Sequence, residues 1–166
     1  PDPYRHDNER NQAWIGQSHW TYRGTFQWSG HGRLHALVFH GIDTVAEVAL
    51  NGRRLGSTQN MHRTHRFDVA DALVDGENTV VVSIASPVKA ADMASQQLGY
   101  RPHTNHHPYN AIRKMACGFG WDWGIDLSTS GLWKGVELES WDAPRLSEVR
   151  VGGDLIDGMP TLHAAA

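Results

Sequence analysis

The dipeptide Asn51-Gly52, directly behind the alternating run Glu47-Val48-Ala49-Leu50, is the feature that most narrows what this chain can fold into. Both residues accept positive φ, as a two-residue type I′ turn demands, so the pair reads as a β-hairpin. The same pattern recurs along the chain. Trp20-Thr21-Tyr22-Arg23-Gly24-Thr25-Phe26 alternates, with Trp20, Tyr22 and Phe26 on one face. Arg33 to Phe39 is richer in apolar residues, as in a strand covered on both sides. A strand is expected around Arg66-Phe67-Asp68-Val69. Asp75-Gly76-Glu77-Asn78 turns the chain into the β-branched run Thr79 to Ile84. Gly135 to Glu139 offers Val136 and Leu138 to the inside and both glutamates to water. Short strands separated by turn residues predict an all-β chain, most simply a two-sheet sandwich. One helix is expected: Ser86 caps, Pro87 fits the first position, Val88 to Leu98 continues it and Gly99 ends it, although a short surface segment fits the same residues.

At 166 residues the chain is long enough for one domain with a core, hiding roughly 68–70% of the unfolded surface. No apolar run approaches the roughly 20 residues that cross a bilayer. The formal charge of −3 gives no reason to expect nucleic acid or an anionic membrane as partner. Eleven histidines make that charge pH-sensitive. Cys117 is the single cysteine, so no internal disulfide forms and oxidising export is not demanded. Pro1-Asp2-Pro3-Tyr4-Arg5 lacks a signal-peptide pattern. A cytoplasmic location is the expectation, for a chain that is processed or begins inside a longer protein.

From Tyr100 to Gly131 the regular patterns fail, over a length too great for an idle loop in a compact domain. Within it lies Gly118-Phe119-Gly120-Trp121-Asp122-Trp123-Gly124. Aromatic faces cover the C–H patches of a pyranose ring, and an ionised carboxylate accepts hydrogen bonds from paired hydroxyls. Glycines let the backbone bend so that such side chains converge. The same composition also fits two core tryptophans and a turn-capping aspartate. Further on, Trp141-Asp142-Ala143-Pro144 reads as a boundary. Arg145 to Val151 then begins a new alternating strand, and Thr161 to Ala164 its partner.

Asn110-Ala111-Ile112-Arg113-Lys114-Met115-Ala116-Cys117 running into that glycine-rich stretch, followed by Thr129-Ser130-Gly131-Leu132-Trp133-Lys134, resembles the corresponding segment of glycoside hydrolase family 2 β-mannosidases. Other pieces agree in order: Asp2-Pro3-Tyr4 with Asp7-Asn8-Glu9, Trp20-Thr21-Tyr22-Arg23, Gly41-Ile42-Asp43-Thr44-Val45-Ala46, Leu50-Asn51-Gly52, Asn60-Met61-His62-Arg63 and Ser86-Pro87-Val88. The resemblance implies a jelly-roll, galactose-binding-domain-like sandwich over residues 1–144, with 145–166 as linker and first strands of a following immunoglobulin-like domain. It implies an exo-acting retaining β-mannosidase whose two catalytic glutamates lie in a downstream (β/α)₈ barrel, so that this chain holds no catalytic residue. Trp121 and Asp122 are then the substrate-binding residues, facing a terminal β-mannoside or oligosaccharide, and Trp123 is structural. The partners implied are that substrate and the chain's own barrel, with no cofactor. At Ile125-Asp126 the sequence departs from the family, which commonly has Pro-Arg or a similar pair. A free-standing carbohydrate-binding module and the same domain of a β-galactosidase- or β-glucuronidase-type enzyme are the alternatives.

Other candidates read as bland. Asn8-Glu9 is structural or a loop contact, since no βα alternation surrounds it. With one cysteine there is no zinc-type spacing, and His62, His65, His103, His106 and His107 read as polar loop residues, with His106 and His107 the two that nearness in sequence offers to a pocket at Trp121. Cys117 is expected to be small and buried. Arg113 and Lys114 have the charge to bind an acidic sugar, but a solvated or ion-paired surface role is the usual one.

Overall fold

In the computed structural model, residues 1–30, 32–121, 124–146 and 148–165 are described. Two short helices, α1 (Asn8–Gln12) and α2 (Trp14–Gln17), precede the strands β1 (Trp20–Trp28), β2 (Leu34–Phe39), β3 (Ile42–Asp43), β4 (Val45–Leu50), β5 (Arg53–Gln59), β6 (His65–Asp68) and β7 (Gly76–Ile84). Helix α3 (Pro87–Leu98) follows, then a long connection to β8 (Gly131–Leu132), β9 (Val136–Trp141), β10 (Arg150–Ile156) and β11 (Met159–Ala165). One sheet has the order β1-β7-β4-β5 and another the order β6-β2-β9, all antiparallel. Their facing residues make one core: Leu37 and Phe39 from β2, Val48 and Leu50 from β4, and Val82 and Ile84 from β7 are nearly inaccessible, with Phe67 and Leu138 against them. This is the all-β sandwich that the strand pattern predicts.

The hairpin forms where the dipeptide places it. Leu50 pairs with Arg53, and Asn51 and Gly52 take φ of 52° and 81°. Asn51 also accepts from the Thr79 amide and donates to the Ala72 carbonyl and to Asn78 Oδ1. Asn78, fully buried, exchanges two further bonds with Val74. A buried amide is stable only when its donors and acceptors are met in this way. Helix α3 runs as expected, with the Ser86 hydroxyl accepting from the Lys89 amide.

Two sequence expectations are corrected here. Leu138 packs on the core, but Val136 is 39% exposed, because it is the first residue of an edge strand. The last hairpin starts at Arg150 rather than Arg145. It turns at Asp157-Gly158, with φ of 50° and 79°, and β10 and β11 form their own two-stranded sheet. Arg145 is instead held back against the sandwich, 2.6 Å from Glu139 and over the ring of Trp141.

Lys114 is not the solvated cation that its type suggests. Its side chain is 0% exposed, and its ammonium pairs with Asp43, itself 6% exposed. The ammonium also donates to the Thr129 carbonyl at 2.7 Å, while the Thr44 hydroxyl donates to Asp43. Removing one partner of a buried pair strands the other charge, which costs about 3–5 kcal/mol. Lys114→Met should therefore lower stability by about that much in urea unfolding, and the Asp43→Leu/Lys114→Met double variant should recover a large part of it.

Glu139 sits between Arg66 on β6, at 2.5 Å, and Arg145. The hydrogen bonds from Arg66, then those from Arg145, hold its carboxyl at about 2 instead of 4.5. A depressed folded pKa means that the ionised form favours folding: the contribution is full above about pH 4.5 and vanishes as pH falls through about 2. The melting-temperature gap between wild type and Glu139→Gln should stay constant above pH 5 and close between those limits.

Candidate functional site

The long connection is tied down along its length. Asn60 and Arg113 form a parallel bridge, the Met61 amide donates to the Arg113 carbonyl at 3.1 Å, and Trp133 Nε1 donates to the Met61 carbonyl at 3.1 Å. Two 3-10 turns, Tyr109–Ala111 and Ala116–Phe119, carry the chain into the glycine-rich stretch. Phe119 is buried with Val88 and Ala91 of α3. Gly120 then reverses the backbone with φ of 86°, where a Cβ would lie 3.3 Å from the Asp126 side chain. Both the conformation and the close approach call for glycine.

Past that point Trp121 emerges, 53% exposed. The Gly124 amide donates to its carbonyl at 3.3 Å. Asp122 and Trp123 lie outside the described residues. Trp121 stands on the rim of a cavity of about 390 Å³ shared with Glu9, Thr104, Asn105, His106 and Asp126, a size that admits a monosaccharide. Two side chains fasten the segment. Asn105 Nδ2 donates to the carbonyls of Phe119 at 2.8 Å and Gly120 at 2.7 Å, immediately before Trp121. Glu9 Oε1 accepts from the Asp126 amide at 2.6 Å on the other side. Glu9 is thus a loop contact, although 117 residues away in sequence. Asn105 has no signal in the sequence, because its donors meet carbonyls on a neighbouring stretch of irregular backbone.

The histidines separate. His106 lines the cavity with Nδ1 3.6 Å from Asp126 Oδ2, whereas His107 turns to Asp92 of α3 at 3.7 Å. His65 bonds the Asn60 carbonyl and His103 the Asn105 carbonyl. Among the described residues no group of three or more His, Cys, Asp or Glu is set to hold a metal ion. Cys117 is exposed rather than buried, because the 3-10 turn points it away while Gly118 and Phe119 go inward.

The fold is thus an antiparallel sandwich with one long, anchored loop that carries the half-exposed Trp121. Residues 1–134 match the family described as glycosyl hydrolase 2 galactose-binding domain-like, and the chain belongs to that family. It is 38% identical over 164 residues to a β-mannosidase from Bos taurus, covering 88% of this chain and 18% of the relative. It is 35% identical over 151 residues to β-mannosidase B from Emericella nidulans, covering 86% and 18%. The crystal structure of a β-D-mannosidase from Dictyoglomus thermophilum matches with a TM-score of 0.84 at 38% identity, over 92% of this chain and 19% of that one. The chain therefore spans 18% of the length of these curated relatives.

Asn105→Ala should loosen the stretch before Trp121. Two hydrogen bonds are lost, worth about 1–3 kcal/mol together. Urea unfolding measures that loss, and amide exchange between Ala116 and Trp121 should accelerate while β4 and β7 stay protected.

Proposed function

We propose that this chain is the N-terminal domain of an exo-acting retaining β-mannosidase, and that its glycine-rich loop grips the terminal mannose. The observation that carries this reading is Trp121, half-exposed on the rim of the cavity while the backbone on either side is fastened by Asn105 and Glu9. A binding loop must be held in place before the ligand arrives, or ordering it consumes the affinity. The β-mannosidase relatives support the choice of sugar.

In this reading Trp121 stacks against the pyranose and Asp122 accepts hydrogen bonds from its hydroxyls. The bond-breaking carboxyl pair, about 5–5.5 Å apart in retaining enzymes, belongs to a barrel outside this chain. This domain alone is then inactive, and its part is orientation. Hydroxyl contacts that strengthen as the ring distorts lower the barrier by several kcal/mol. A single unpaired cysteine suits residence in the cytoplasm.

The test uses the enzyme that carries this domain. Asp122→Ala should lower kcat/KM on an aryl β-mannoside by about 100-fold or more, roughly 2.7 kcal/mol of transition-state binding, with the melting temperature unchanged. Wild-type turnover in a normally folded variant would remove Asp122 from the subsite. The half-exposed Trp121 also favours a second reading, a carbohydrate-binding module that acts alone. That module would bind mannobiose without a barrel, with Kd below about 1 mM, whereas half of a shared subsite would show no saturable binding.

A further inference from the structure

A groove of about 570 Å³ runs between the flank of α3, the end of β5 and the long connection, and it shares no lining residue with the Trp121 cavity. Lys89 from the first turn of α3, Arg63 from the turn before β6, and Arg113 beside Asn60 all line it. No aspartate or glutamate is among its lining residues. None of the three cations has a side-chain partner among the described residues. Several cations elsewhere are neutralised: Arg66 and Arg145 share Glu139, Arg54 meets Glu47, and Arg53 meets Asp71. Ala90, Ala94 and Ile112 give the groove an apolar part, beside the polar Gln59, Asn60 and Gln97.

Like charges collected along a concave surface raise the local positive potential, which an anion relieves. The positive end of α3, where Lys89 stands, adds to it. Guanidinium groups meet the oxygens of a phosphate, sulfate or carboxylate as a fork. The volume falls in the range of small-molecule sites, roughly 300–1,000 Å³. We propose that this groove binds a small organic oxyanion, with the charged group held between Arg63, Arg113 and Lys89 and an apolar body against Ala90, Ala94 and Ile112. It is independent of the sugar-binding role of the loop.

The experiment titrates the 166-residue chain with phenyl phosphate, phenyl sulfate, benzoate and inorganic phosphate, followed by amide chemical shifts and calorimetry. Saturable shifts confined to residues 86–97, 59–63 and 111–113 are expected, with at least one phenyl anion binding several-fold tighter than inorganic phosphate. The tightest of the three phenyl anions identifies the oxyanion. The Arg63→Gln/Arg113→Gln variant should weaken binding about tenfold or more at unchanged melting temperature, as should Lys89→Gln to a smaller degree. Arg23→Gln, a cation on β1 outside the groove, should bind as wild type. Shifts spread evenly over all surface cations, or equal affinity in Arg63→Gln/Arg113→Gln, would overturn the proposal. So would binding of an oligo-aspartate peptide with none of the phenyl anions, which would make the groove an acidic-protein surface instead.

Discussion

The ion pair between Lys114 and Asp43 joins the two halves of this molecule, the regular sandwich and the irregular connection that crosses it. Asp43 lies on the two-stranded ladder of β3 and β8, and Lys114 lies in the middle of the connection. The ammonium reaches Thr129 as well, so one buried cation fixes the connection to β3 and to its own far end. An apolar pair of similar volume would fill the space, but it would not fix the direction of approach. Charge and hydrogen bonding do so, at the cost of desolvating both groups. The stretch with Trp121 lies between Lys114 and Thr129, two points that this contact has already brought together.

The strands were legible because their signal is local. Alternation in β4 and β7 and the Asn-Gly turn depend on residues within a few positions, and the sandwich follows from them. Helix α3 was legible for the same reason, through Ser86, Pro87 and Gly99. What sequence could not convey was pairing across the irregular connection. Lys114 reads as a surface lysine by residue type, and only the placement of Asp43 71 positions away makes its burial tolerable. Cys117 reads as buried by type, yet a single 3-10 turn decides which of Ala116 to Phe119 faces inward. Val136 shows the complementary failure: alternation assigns a face, but not how far the opposite sheet extends to cover it.

The candidate site divides along the same line. Trp121 and Asp122 lie in a glycine-rich aromatic pattern that composition alone fits equally to core packing, and the family resemblance is what singled them out. Asn105 and Glu9, which hold the backbone around them, carry no such mark. An asparagine that bonds two carbonyls and a glutamate that caps one amide look like any polar surface residue until the chain is folded. The candidate groups were visible and the support around Trp121 was not, because support is defined by geometry alone.

The contact between Glu9 and the Asp126 amide spans 117 positions, nearly the whole domain. It makes the beginning of the chain a wall of the cavity rather than a tail hanging from it. Since α1 is a single short turn with no buried residue of its own, its place is set by what it touches, so the loop and the first dozen residues stabilise one another. Any change of the leading segment, whether by proteolytic trimming, a fused partner or a shifted start, acts at a distance on the cavity floor. Architecturally, the chain closes into a ring at this cavity.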